Sequence, residues 1–161
     1  VKNPFSAIEV FGVDMREDLD NNVLKSNLII DDLPFQNNSL NCCTAFDVLE
    51  HIPRQIVIDG ELKFPFINLM NEVSRVLKKD GLFFHTTPAY PSKFAFQDPT
   101  HVNVITEDTF PIYFCTSSYN KWLSSNKPAA KMYGFTGDFE LVDSAWWCGD
   151  NCLAQLLKVK K

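Results

Sequence analysis

The chain has 161 residues and a mass of 18.4 kDa, one domain's worth of core, with 45% hydrophobic and 22% charged residues. That composition excludes disordered, collagen-like and low-complexity classes, and no stretch approaches the roughly 20 apolar residues a membrane span needs. Fifteen Lys and Arg against twenty Asp and Glu give a formal net charge of −5, which argues against a protein that grips nucleic acid through a phosphate-neutralising surface.

The N-terminal residues are not those of a signal peptide. The five cysteines are odd in number, and Cys42 and Cys43 are adjacent. With a large aliphatic core beside them they read as reduced thiols in a cytoplasmic protein. In chain order, residues 8–14 (Ile-Glu-Val-Phe-Gly-Val-Asp) predict a short strand ending in an acid. Residues 27–32 (Asn-Leu-Ile-Ile-Asp-Asp) and 40–47 (Leu-Asn-Cys-Cys-Thr-Ala-Phe-Asp) repeat the form. Nearly continuous apolar runs of this length suit strands of a parallel sheet buried on both faces.

Over 64–78 the period changes. Phe66, Leu69, Met70, Val73, Val76 and Leu77 fall on one helical stripe, with Pro65 in the first turn and Lys78, Lys79 and Gly81 at the end. Residues 82–87 predict the next strand, and strand–helix–strand order implies a right-handed crossover between parallel neighbours. From Ala89 to about Lys131 the chain is richer in aromatics, Pro, Asn and Ser, and Thr106-Glu107-Asp108 predicts a cap for a short helix through Phe114. Residues 139–147 and 152–159 predict a hairpin around Cys148-Gly149-Asp150-Asn151. The expected fold is one α/β domain over 1–161: a Rossmann-like, mostly parallel sheet, helices on both faces and a C-terminal antiparallel hairpin. Residues 89–131 form its acceptor-side lid.

Open α/β sheets bind ligands beyond the carboxyl ends of their strands. Three predicted strands end there in acids: Asp14, then Asp31 and Asp32, then Asp47. Each alone has a turn or helix-cap explanation. Together on one rim they suit an adenosine-like ligand, since an acid after a strand can accept both hydroxyls of a ribose and a second can meet an exocyclic amine.

These residues carry a resemblance to the class I S-adenosylmethionine-dependent methyltransferases. It rests on Val10-Phe11-Gly12-Val13-Asp14, Asp32-Leu33-Pro34-Phe35, Phe46-Asp47-Val48-Leu49-Glu50-His51-Ile52 and Glu72-Val73-Ser74-Arg75-Val76-Leu77-Lys78-Lys79-Asp80-Gly81, in that order. The resemblance implies S-adenosyl-L-methionine as cofactor, with Asp14 at the ribose. It places Asp31, Asp32 and Leu33 on the adenine side and Phe46 and Asp47 along the cofactor. The chain departs from the family at its start, since the first strand and the Gly-rich loop that approaches the cofactor are not among these residues. In that fold the first strand lies mid-sheet, and without it a row of backbone donors and acceptors has no partner. The expectation is an N-terminally incomplete domain whose parent continues upstream. Otherwise the chain shifts its strands or borrows one from a partner, as in a homo-oligomer, and by itself it binds cofactor weakly.

Methyl transfer from a sulfonium needs an aligned acceptor and, for some acceptors, removal of a proton. His101 in Asp98-Pro99-Thr100-His101-Val102 is the candidate base, with Asp98 orienting it. In related methyltransferases this segment reaches over the acceptor pocket. Against that reading, Asp98 and His101 can simply knit a turn around Pro99. His51 and His85 fall near the same rim, but no ligand spacing supports a metal, and none is expected. Glu50 is read as support for the loop after its strand. Tyr90, Phe94 and Phe96 are the candidate acceptor contacts, whereas Phe110 and Phe114 read as core.

The reading is methyl transfer to a small-molecule or glycan-type acceptor. Two alternatives stand beside it: a methyltransferase-fold protein that binds a ligand or partner without turnover, and a nucleotide-sugar or dinucleotide enzyme, whose fingerprint lacks these segments.

Overall fold

The computed structural model describes residues 2–116 and 127–161. Its elements are β1 (Gly12–Asp14), β2 (Val23–Lys25), β3 (Leu40–Phe46), β4 (Ile56–Ile58), β5 (Glu61–Lys63), α1 (Pro65–Val76), β6 (Leu77–Pro88), α2 (Phe94–Gln97), α3 (Thr109–Phe114), β7 (Phe139–Trp147) and β8 (Cys152–Val159). The main sheet runs β3-β6-β8-β7. β3 and β6 are parallel, joined through α1, and β8 lies antiparallel to both β6 and β7. β1 and β2 form a separate parallel pair. The result is the expected Rossmann-like α/β architecture with its antiparallel C-terminal hairpin.

α1 forms where the apolar stripe placed it. Pro65 fills a first-turn position whose N–H has no intrahelical partner in any case. Phe66, Leu69, Met70, Val73 and Val76 are all buried. The stripe packs into one core with Phe83, Phe110, Phe114, Leu153 and Leu157, and Phe66 meets Phe110 and Phe114 edge-on with centroids 5.9 and 5.5 Å apart. Gly81 sits where β6 runs close against β3. A Cβ there would stand 2.8 Å from the Lys78 carbonyl oxygen and 3.3 Å from that of Asn41.

Two segments differ from expectation. Residues 27–32 are a turn, and the strand of that region is β2, four residues earlier. The β-branched run loses to local side-chain bonding: Asp31 Oδ2 accepts the Asn27 N–H at 2.8 Å and Asn27 Oδ1 accepts the Ile29 N–H at 3.1 Å. Asp31 and Asp32 therefore follow a turn rather than close a strand. The predicted strand over 8–14 contracts to Gly12–Asp14, leaving Ile8 fully exposed. The predicted lid, 89–131, contains the short helices α2 and α3; its residues 117–126 lie outside the described residues.

Candidate functional site

β1 and β3 do not pair. Between them lies a groove of about 430 Å³, walled by Phe11–Val13 on one side and Cys42–Phe46, Val48 and Leu49 on the other. Leu33 and Phe35 line it as well, with Leu69 and Val73 of α1. Among the described residues β3 pairs only with β6, so its other edge faces this groove.

Of the six predicted cofactor residues, Leu33 and Phe46 line the groove directly. Asp14, Asp32 and Asp47 each adjoin a lining residue in the chain: Val13, Leu33 and Phe46. Ser26 joins two of these acids through their backbones, donating from N–H to the Asp14 carbonyl at 2.9 Å and from Oγ to the Asp32 carbonyl at 3.3 Å. Asp14 keeps one carboxylate oxygen on the Arg16 N–H at 2.9 Å. Asp31 is tied to the Asn27 turn. Asp47 follows β3 in the left-handed region, at φ 53°, its N–H donating to the Thr86 carbonyl at 2.9 Å.

The segment bearing Leu33 and Phe35 is held from α1. Arg75 donates to the carbonyls of Leu33 and Phe35 at 2.9 and 2.8 Å, and Glu72 Oε2 accepts the Leu33 N–H at 2.8 Å. Arg75 also pairs with Glu72 at 2.6 Å, and this bond keeps the Glu72 carboxyl below the usual range.

β3 walls the groove, and the chain that follows it continues through Leu49 into Glu50 and His51, where a polar cluster forms. Glu50 is 1% exposed. Its Oε2 accepts the Thr87 hydroxyl at 2.9 Å, while its Oε1 has no hydrogen-bond partner. Burial raises the Glu50 pKa, with Thr87 and His51 pulling it back and Asp47 adding to the rise. His51 Nε2 lies 4.0 Å from Glu50 Oε1, and His51 Nδ1 lies 3.2 Å from the Thr100 carbonyl oxygen and 3.1 Å from the Thr100 hydroxyl. His101 meets the His51 ring at a centroid distance of 4.9 Å and an angle of 75°, and its buried Nδ1 has no hydrogen-bond partner.

The His101 segment is clamped to this turn. The Val102 and Asn103 N–H groups both donate to the Glu50 carbonyl, at 2.9 and 3.0 Å. Buried Asn103 donates to the Leu49 carbonyl at 3.0 Å and accepts from Arg54 Nε at 2.7 Å.

The two predicted catalytic residues part company. Asp98 bonds the Thr100 hydroxyl and N–H, at 2.6 and 2.8 Å, and those bonds hold its carboxyl below the usual range. Its contact with His101 is through its own carbonyl, which accepts the His101 N–H at 3.1 Å. Asp98 thus shapes the turn, and the group that His101 faces is His51. His85 stands apart, fully buried in β6 with its ring 4.2 Å from that of Phe110. Tyr90 and Phe96 are exposed and Phe94 is half-buried. None of the three lines the groove or a second, aromatic cleft of about 230 Å³ between Phe66, Tyr113, Phe114 and Tyr133.

The sequence singled out Leu33, Phe46 and His101, but not Thr87, Thr100, Asn103 and Arg75, whose bonds hold the groove wall and the polar cluster. Single polar residues in strands and loops carry no periodic signal that would single them out.

No family model matches the chain, and no curated protein matches it in sequence. Solved structures do. A S-adenosylmethionine-dependent methyltransferase from Archaeoglobus fulgidus is 15% identical, with 92% of this chain and 75% of that one aligned at a TM-score of 0.53. The PH0226 protein from Pyrococcus horikoshii OT3 is 16% identical, covering 94% and 74% at 0.54. The [4+2]-cyclase SpnF is 11% identical, covering 86% and 56% at 0.51. The chain therefore has the class I methyltransferase fold. Among the described residues, no helix is long and apolar enough to cross a membrane.

Proposed function

We propose that this chain transfers a methyl group from S-adenosylmethionine to a small-molecule or glycan-type acceptor, in the cytoplasm, where its five free cysteines stay reduced. The observation that carries the reading is the continuity of the two halves of the site. The end of β3 and the turn after it supply Phe46, Val48 and Leu49 to the groove wall, and the chain passes directly on into Glu50 and His51. A donor lying in the groove would thus end beside the polar cluster.

The residues present suit the nucleoside half of the cofactor. The groove's volume of about 430 Å³ falls within the usual range for ligand sites, and its walls are mainly apolar. Leu33 and Phe46 would flank the base. Asp14, with one carboxylate oxygen outside its turn bond to Arg16, would accept the ribose hydroxyls. Asp32 would meet the adenine side and Asp47 would stand at the end of β3. Bound there, S-adenosylmethionine would supply an electrophilic methyl on a sulfonium. His101 is the group that would lower the cost of removing the acceptor's proton, and Asp98 acts through the turn that holds it. Tyr90, Phe94 and Phe96, on the segment after β6, would meet the acceptor as it arrives.

A fold does not set a reaction, as the cyclase among the similar structures illustrates. The test is a thermal-shift comparison of S-adenosylmethionine, S-adenosylhomocysteine and nicotinamide dinucleotides. Stabilisation by the first two supports the reading. Stabilisation by a nicotinamide cofactor alone would replace it with the dinucleotide alternative.

A further inference from the structure

We propose that Glu50, His51 and His101 form a binding site for a divalent transition-metal ion at the acceptor side of the groove. One ligand atom from each of the three lies within 4.8 Å of the others. Metal bonds of about 2.0–2.2 Å put tetrahedral ligand atoms about 3.4 Å apart. The three atoms thus need to draw together by no more than about 1.4 Å to close around an ion.

The cluster is built as ligand shells are built. Glu50 is buried, and Thr87 holds one of its oxygens while the other is left without a partner. An orphan carboxylate oxygen in the interior is costly unless something cationic or protic completes it. His51 can donate from Nδ1 to the Thr100 carbonyl at 3.2 Å, and that tautomer leaves a lone pair on Nε2, which lies 4.0 Å from Glu50 Oε1. An outer carbonyl that fixes a ring's tautomer is the usual companion of a metal-bound imidazole. His101 adds a second orphan, its buried Nδ1. The paired bonds from Val102 and Asn103 to the Glu50 carbonyl bring this second segment into register with the first.

Two imidazoles and one carboxylate suit Zn²⁺ and its first-row neighbours better than Mg²⁺ or Ca²⁺, which favour all-oxygen shells. Three protein ligands also leave a coordination position open. An acceptor hydroxyl entering that position would release its proton to water, with the metal holding the resulting alkoxide. This deepens the proposed function and rests on it for that last step. His101 then lowers the acceptor's pKa as a ligand rather than as a base.

The site is tested without S-adenosylmethionine, by calorimetric titration of the protein with ZnCl2 and CoCl2. The expected result is one saturable equivalent, weakened at least tenfold in His51→Ala and in His101→Ala and unchanged in Cys148→Ser. Should either histidine variant fail to fold, imidazole ¹⁵N spectra of the unaltered protein decide instead. The chain has only three histidines, and Zn²⁺ should shift His51 and His101 while leaving His85 in place. Absence of stoichiometric binding, or shifts confined to His85 or to none, would overturn the site. Metal binding without any response to S-adenosylmethionine would uphold the site and defeat the methyl-transfer reading; the converse would do the reverse.

Discussion

Thr87 Oγ1 donates a 2.9 Å hydrogen bond to Glu50 Oε2, and both residues are buried. One bond thereby ties the C-terminal end of β6 to the segment after β3, the two places from which the site is assembled.

Thr87→Val keeps the shape and removes the donor, leaving neither Glu50 oxygen bonded. Stability should fall by about 1–3 kcal/mol, the usual cost of stranding a buried polar group. Urea denaturation reads this as a lower midpoint at unchanged slope. An unchanged midpoint would mean that the carboxylate finds another partner at no cost.

Arg75 acts on the groove from a distance. Its planar guanidinium reaches the Leu33 and Phe35 carbonyls and Glu72 together, a fan of bonds that lysine cannot reproduce. Arg75→Lys should weaken S-adenosylmethionine binding about tenfold, or about 1.4 kcal/mol, while the far-ultraviolet circular dichroism stays the same. Equal affinity in calorimetry would detach the Leu33–Phe35 segment from the cofactor.

His85 sets an acid limit on stability. Burial pushes its pKa down to about 3, with Gln155 across the β6/β8 ladder pulling weakly the other way. The folded ring thus stays neutral while an unfolded histidine takes up a proton below about pH 6.5. The sign follows: stability is intact above about 6.5 and is lost as pH falls toward 3, by up to about 1.4 kcal/mol per pH unit. Glu50, whose pKa burial raises, bends the curve the opposite way, so comparison with a variant isolates the histidine's share. His85→Phe should flatten the slope, and a slope of equal size in that variant would assign the effect elsewhere.

How far the sequence could be read depended on the range of the interactions involved. α1 was legible from its apolar stripe, which the core buries at the same helical period, and β3, β7 and β8 from apolar runs bounded by turn residues. Residues 27–32 misled because Asn27 and Asp31 spend their side chains on a turn, a choice that hydrophobicity does not register. The hairpin of β4 and β5 went unassigned although Asp59-Gly60 carries its signal. Both residues have positive φ, 52° and 80°, as a two-residue hairpin turn of the primed type requires. The Glu50–His51–His101 cluster was legible only in part: His51 falls near the His101 rim in sequence terms, but the bonds that join the two segments, from Thr100, Val102 and Asn103, span some fifty residues.

The groove between β1 and β3 is the proposed seat of the nucleoside. Calorimetric titration of the protein and of Asp14→Ala with S-adenosylmethionine addresses it most directly. Saturable binding by the first and at least tenfold weaker binding by the second, about 1.4 kcal/mol, is the predicted result. Identical affinities, or no binding by the unaltered protein, would contradict it.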